Sequence, residues 1–395
     1  DVVTAMRRLP PWARVLTPAA GGLLAGLLGR RSARSSGGVG AVMEAVVLGR
    51  AHLSMRATLL KSLASFAAIA SGGSLGREGP LIQFGGAAGQ LLGGRLSLSQ
   101  EHARALIAAG TAAGFAAAYN TPFAAVLFVL EVVTGIVVLE TIVPTLISTA
   151  LATALTRAVV GQGPVYGARA FALHSPGELG GYALLGVLSA LAAHGFMRVL
   201  ALGEAWLRDP RLPQPWRAAL GGLLAGGLVA ALPEVAGNGY EPLNQILDGR
   251  HTIGFVVALL LVKPLATTAS VSSGSPGGVF TPTLLIGCCV GFLYGEGLAR
   301  IFGAGVGPTG GYALVGLSAM LAATTHAPLL AAVMAFELSG DYTIVLPLVL
   351  ATAVATAVSQ ALGRDSIYTA ELRQRGVGWE LTLEGRRVVE ERGAL

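Results

Sequence analysis

Residues 71–80 read SGGSLGREGP, and residues 272–282 read SSGSPGGVFTP. Each is a Gly/Ser-rich break that reaches a proline, and each leads into an apolar run. Proline suits the first position of a helix, where its missing N–H would have been orphaned in any case. The two stretches therefore read as irregular backbone that opens abruptly into a helix. The likeness continues outward. Lys61 precedes the first break and Lys263 the second. GGLLAG occurs at 21–26 and again at 221–226, after Pro11-Trp12 and Pro215-Trp216. AAGFAAAYNTPFAAVLFVLE at 112–131 faces SAMLAATTHAPLLAAVMAFE at 318–337. The register offset is 200 at GGLLAG, 202 at the lysines and 206 at Pro122/Pro328 and Glu131/Glu337. Four blocks in one order, drifting by loop-sized indels, indicate a duplicated unit.

The solvent of these units is lipid. Hydrophobic residues make up 53% of the 395 positions and charged residues 12%, about half the charged fraction of a typical soluble protein. Apolar runs at 56–70, 140–159, 178–206, 252–270 and 342–362 are almost free of charge, as membrane-spanning helices require. Runs at 80–94, 104–118, 122–133 and 328–338 are too short to cross unaided. Broken helices are tolerated at membrane depth only where protein or a watery cavity receives the free backbone groups. Two such breaks, at corresponding places of two halves, point to a substrate site near the bilayer midplane. If the halves insert with opposite topology, both helix N-termini aim at one point, where their N–H groups and dipoles favour an anion.

The net charge of +6 is not a nucleic-acid surface. Its arginines punctuate the apolar runs in clusters: Arg30, Arg31 and Arg34; Arg208, Arg211 and Arg217; Arg364, Arg373 and Arg375. By the positive-inside rule those loops are cytoplasmic, although Arg7 and Arg8 fit this pattern less well. Cys288 and Cys289 are adjacent in an apolar run and build no disulfide framework. His326 has no metal-ligand partner at suitable spacing, and there is no HExxH, Walker loop or paired catalytic carboxylates. An enzyme and a metal site are therefore not expected.

GREGP at 76–80 and GVFTP at 278–282 resemble signature pore motifs of the CLC family of chloride channels and proton/chloride exchangers. SGGVGAVMEAV at 36–46 stands where the first pore motif of that family lies, and Tyr368 in RDSIYTAE matches its pore tyrosine. The resemblance runs from about residue 12 to 375. It implies an all-α polytopic membrane protein in which broken helices of two inverted repeats meet at a mid-membrane anion site. The expected units are residues 1–170, with an opening helix apparently missing, residues 171–375, and a short cytoplasmic tail at 376–395, too short for paired regulatory nucleotide-binding domains. Repeats 12–160 and 216–362 should superimpose about an axis in the membrane plane. The resemblance further implies a homodimer in the plasma membrane, one pore per subunit, with chloride ions bound in the pore and no other cofactor.

It also implies site residues. Glu78 becomes the gate, and Gly37, Gly38, Arg77, Glu78, Gly79, Gly278, Val279, Phe280 and Tyr368 line the anion path. Two departures matter. The anion-coordinating serine of the first motif falls on Gly37 and its usual Pro-Glu on Gly40-Ala41, so the site nearest the cytoplasm lacks a hydroxyl unless Ser35 or Ser36 substitutes. Val132 stands where exchangers of the well-known bacterial type carry a second carboxylate as proton relay; this favours a passive channel over a proton-coupled antiporter.

Plainer roles compete for several of these residues. Glu78 could be tied up with Arg77, Phe280 could be core, and Tyr368 could be an interfacial aromatic. Glu131 and Glu337 recur at one place in both repeats, which argues for hydrogen bonds to neighbouring helix ends. Lys61 and Lys263 share that logic, and Lys61 can also lend positive potential to the pore.

Overall fold

The computed structural model describes residues 2–31, 37–49, 51–135, 139–161, 166–167, 171, 173, 175–208, 211–374, 377–382 and 385–390. Among the described residues, five stretches are long and apolar enough to cross a membrane: Leu139–Val159, Glu178–Leu207, Ile253–Ser272, Phe280–Phe302 and Val345–Arg373. Between them lie the shorter pieces that the sequence marks out. Met55–Ala70 precedes the first break, Glu78–Arg95 follows it, and Gln100–Tyr119 comes next. Pro122–Leu127 runs on as a wider π-helical turn, Phe128–Thr134, and Pro328–Ser339 is its counterpart in the second repeat.

Helix ends follow local chemistry. Gln100–Tyr119 stops at Asn120 (φ 57°) and Thr309–Thr325 at His326 (φ 56°), two non-glycine residues in the left-handed region 206 positions apart. A left-handed residue terminates a helix by turning its N–H onto an earlier carbonyl; Asn120 and His326 donate to Ala116 and Ala322. Pro122 and Pro328 then open the next helices. His326 is further held by Ser359, at 3.3 Å from its Nε2.

Contacts between the repeats come in pairs with the partners exchanged, as a two-fold axis demands. Helices Pro11–Arg31 and Gln214–Ala231 pack backbone to backbone. A Cβ on Gly22 would stand 2.2 Å from the Ala218 carbonyl oxygen, and one on Gly222 2.1 Å from that of Pro18. The repeated GGLLAG is thus an interface of small residues, the usual device for close helix approach in lipid. Glu131 accepts the N–H groups of Leu329 (3.2 Å) and Leu330 (2.7 Å), while Glu337 accepts those of Phe123 (3.1 Å) and Ala124 (2.8 Å). Each repeat lends a carboxylate to the first turn of the other's proline-opened helix. Lys263 is fully buried and donates to the carbonyls of Val235 (3.0 Å) and Gly237 (2.9 Å).

Two details differ from expectation. The chain opens with helix Val2–Arg8, and Arg7 pairs with Glu234, which accounts for an arginine outside the loop pattern. In the tail, Val377–Thr382 pairs antiparallel with Gly385–Glu390. The helical body therefore ends in a two-stranded hairpin, which a reading tuned to apolar runs passes over. Arg34, Ser35, Ser36, the 168–170 side of the repeat boundary, Arg375 and residues 376 and 391–395 lie outside the described residues.

Candidate functional site

The two breaks meet. Gly76 and Gly278 form an isolated antiparallel bridge, exchanging N–H···O bonds of 2.7 and 2.8 Å. Helices Glu78–Arg95 and Phe280–Phe302 begin immediately beyond it, with Arg77 and Val279 at their N-caps. The first N–H groups of a helix have no partner within it. Here those of Phe280 (2.7 Å) and Thr281 (3.2 Å) donate to one carboxylate oxygen of Glu78. The Thr281 hydroxyl donates to the other oxygen at 3.1 Å and is itself 3.0 Å from the Tyr119 hydroxyl. Glu78 is 1% exposed.

The glycines explain how a carboxylate fits there. A Cβ on Gly76 would lie 2.1 Å from Glu78 Oε1, and one on Gly278 2.3 Å from it. Gly79 faces the Gly278 N–H. Arg77 does not neutralise Glu78: its guanidinium donates to the Ala118 carbonyl (3.0 Å) and sits 5.4 Å over the ring of Tyr240. The Glu78 carboxyl group thus rests on amide N–H and hydroxyl donors in a buried cradle. Charge-assisted hydrogen bonds of this kind are the strong ones, and any small anion taking the same donors must displace the carboxylate.

An aromatic column leads away from the cradle. The Phe280 ring meets Phe115 edge-on (5.5 Å) and Tyr119 (5.4 Å); Phe115 stacks on Phe128 (4.7 Å), which meets Tyr368 edge-on (6.4 Å). Tyr368 lies on helix Ile367–Gln374, which packs against Gly38–Met43. Gly37 is the N-cap there, and the Gly38 N–H donates to Gln83 Oε1 (3.0 Å), whose amide donates to Thr58 (3.1 Å). Lys61 Nζ lies 2.5 Å from where a Cβ of Gly37 would stand. The Glu371 carboxyl carbon is 3.5 Å from the corresponding point on Gly40. The space of the expected serine is thus taken by the tip of a lysine.

The structure gathers Glu78, Gly278, Val279 and Phe280 at one end of the column and Gly37, Gly38 and Tyr368 at the other. Val132 is buried in the turn Phe128–Thr134, beside Glu131. Four participants were missed from sequence: Tyr119, Thr281, Gln83 and Glu371. Thr281 stands inside the quoted GVFTP, and Glu371 is one residue short of a full turn beyond Tyr368, so both were within sight. Among the described residues, no group of three His, Cys, Asp or Glu side chains is arranged to hold a metal ion.

The chain is similar to known proteins along most of its length. A family model described as "Voltage gated chloride channel" matches residues 21–360. A putative chloride channel protein, ClcB-like, of Ralstonia nicotianae is 41% identical over 378 residues, covering 94% of this chain and 88% of that protein. The voltage-gated ClC-type chloride channel ClcB of Escherichia coli is 36% identical over 382 residues, covering 95% and 90%. The crystal structure of a slow cyanobacterial Cl-/H+ antiporter superimposes with a TM-score of 0.85 at 27% identity, covering 95% of this chain and 90% of that one. This chain belongs to the voltage-gated chloride channel (CLC) family.

Proposed function

We propose that the chain conducts chloride and similar small anions across the cell membrane, with Glu78 as gate and the first turn of helix Phe280–Phe302 as the central anion site. The observation that carries this reading is the Glu78 carboxylate itself, an anion held by Phe280 N–H, Thr281 N–H and the Thr281 hydroxyl. Ionised, it competes with chloride for those donors. Protonated, it loses the charge that makes it a good acceptor, and it yields the site. Gly37, Gly38 and Tyr368 line the path at the other end of the aromatic column, with the Arg-rich loops facing the cytoplasm. Conduction needs binding loose enough for the ion to leave as well as enter, and glycine-lined, backbone-built sites fit that need.

Passive conduction is the favoured mode, because Val132 offers no proton acceptor beside Glu131. Proton-coupled exchange is the competing reading, supported by the likeness to the cyanobacterial Cl-/H+ antiporter. Both modes are framed in a homodimer with one pore per subunit and no cofactor beyond the permeating ions. Purified protein in liposomes, with chloride efflux and proton uptake recorded together, decides between them. Chloride efflux without proton movement is expected; uphill proton movement driven by a chloride gradient establishes exchange, and no anion flux at all overturns the pore.

A further inference from the structure

In a membrane interior nearly every buried polar group is paired, since lipid offers no substitute for water. Two phenols beside the cradle break that rule. The hydroxyls of Tyr166 and Tyr240 are buried and make no hydrogen bond among the described residues. Tyr166 is 1% exposed, and its backbone is pinned by its N–H to the Leu338 carbonyl (3.2 Å). Tyr240 opens helix Tyr240–Leu247. Their rings meet at 5.7 Å, and the Arg77 guanidinium lies 5.4 Å from the centre of the Tyr240 ring. Both phenols share their surroundings with Glu78 and Arg77, and the Arg77 and Thr281 side chains both approach the Tyr240 hydroxyl.

We infer that the Tyr166 and Tyr240 hydroxyls, with the Arg77 guanidinium, form a second station for a small anion, on the outer side of the Glu78 cradle. The inference rests on the anion-pore reading and deepens it. Two orphan O–H donors and a neighbouring cation call for an acceptor that brings negative charge. A cation would face the guanidinium, and a neutral donor would leave the charge unanswered. The carboxylate of Glu78 is already engaged by Phe280 and Thr281. That of Glu241, the neighbour of Tyr240, accepts from the Thr4 hydroxyl at 3.3 Å through one oxygen, while its other oxygen is buried and makes no hydrogen bond among the described residues.

Nothing in the repeat demands these phenols. Helices Gly38–Met43 and Tyr240–Leu247 begin 202 positions apart, the same offset as Lys61 and Lys263, so Gly38 stands opposite Tyr240 in the first repeat. Tyr119, another phenol at the cradle, shows the ordinary outcome, because its hydroxyl is paired with Thr281. A cavity lies close by, although both hydroxyls are themselves buried. Tyr240 lines a cavity of about 560 Å³ together with Val2, Val3, Asn238 and Glu241. An anion can therefore wait between that cavity and Glu78, and step onto the Phe280 amide when the carboxylate leaves.

Bromide-soaked crystals and liposome flux test this together. Expected in the wild-type protein is an anomalous bromide peak shared by the Tyr166 and Tyr240 hydroxyls. Tyr166→Phe/Tyr240→Phe, which removes two oxygens and keeps both rings, should lose that peak. Its KM for chloride should rise roughly three- to tenfold, with little change in rate at saturating chloride. Glu78→Ala is the control and should place bromide on the Phe280 N–H. Bromide there but none between the phenols overturns the second station and leaves the pore reading intact. A phenol peak that survives the double substitution, or one lost without any change in KM (an adventitious ion only), overturns the station as well. If the double variant does not fold, wild-type crystals that show only water between the hydroxyls overturn it.

Discussion

The backbone N–H of Phe280 donates to the Glu78 carboxylate at 2.7 Å, although 202 residues separate them. The gate of the proposed pore is therefore shut by occupancy: the carboxylate holds the donors that chloride would use. Acid should open it, because a protonated carboxyl is a weaker acceptor and leaves the amides free. Chloride flux in liposomes is expected to rise as pH falls. Glu78→Gln removes the titration, so flux should become independent of pH and any proton coupling should vanish. An unchanged pH profile in Glu78→Gln would show that another group sets it.

Space is the second condition of this gate. A Cβ on Gly278 would stand 2.3 Å from Glu78 Oε1, so Gly278→Ala must push the carboxylate out of its cradle. A chloride that takes the place of that oxygen meets the same methyl group. Gly278→Ala should therefore weaken chloride binding, measured by calorimetry, by about tenfold or more, a loss near 1.4 kcal/mol. Gly94→Ala serves as control, since nothing lies within 4 Å of its added methyl. Equal affinities in the two variants would mean that the anion binds elsewhere.

Glu131 and Glu337 call for a different readout. Each caps the first turn of the other repeat's broken helix through two backbone N–H groups. Alanine at either position leaves those donors without their acceptor, at about 1–3 kcal/mol for each buried group left unsatisfied. Both variants should lower the thermal unfolding midpoint in detergent by similar amounts and leave the pH profile of flux unchanged. A shifted pH profile in Glu131→Ala alone would instead place Glu131 on a proton path.

These caps also show what the chain reveals before it is folded. Glu131 and Glu337 recur at one place in two repeats, so a structural role was readable from their positions, and the helix-end partners bear it out. The broken helices were readable too. Gly-rich backbone followed by proline is local chemistry, although helices Glu78–Arg95 and Phe280–Phe302 begin two residues before Pro80 and Pro282, and the expected run 328–338 appears as Pro328–Ser339. The Tyr119–Thr281 contact was not readable, because it spans 162 residues and neither partner is ionisable or unusual in a membrane. Arg77 shows that adjacency in sequence is not contact. It sits next to Glu78 in sequence, yet at the start of a helix neighbouring side chains diverge, and its guanidinium reaches Ala118 and Tyr240 instead. The tail hairpin escaped because its strands are only six residues each and the second, GRRVVE, does not alternate, a far weaker pattern than a membrane span.

The final prediction concerns Gly37, where the sequence implies a missing hydroxyl donor and a weaker anion site. The structure changes the terms, because Lys61 Nζ lies 2.5 Å from the point a Gly37 Cβ would occupy. An ammonium in the place of a hydroxyl is the stronger donor, since hydrogen bonds involving charge contribute about 1.5–3 kcal/mol against roughly 1 for neutral pairs. Gly37→Ser must push that lysine aside, exchanging a charged donor for a neutral one. Chloride binding by calorimetry should therefore fall or stay level in Gly37→Ser, with the chloride-to-nitrate preference shifted. Lys61→Met, which keeps the length of the chain and removes the charge, should weaken binding about tenfold or more. Gly37→Ser combined with Lys61→Met gives the hydroxyl room, and should recover part of that loss. Tighter binding in Gly37→Ser with Lys61 in place would show that the lysine tip is not at the anion. No effect from either single substitution would mean that the loop before Gly38 does not line the pore.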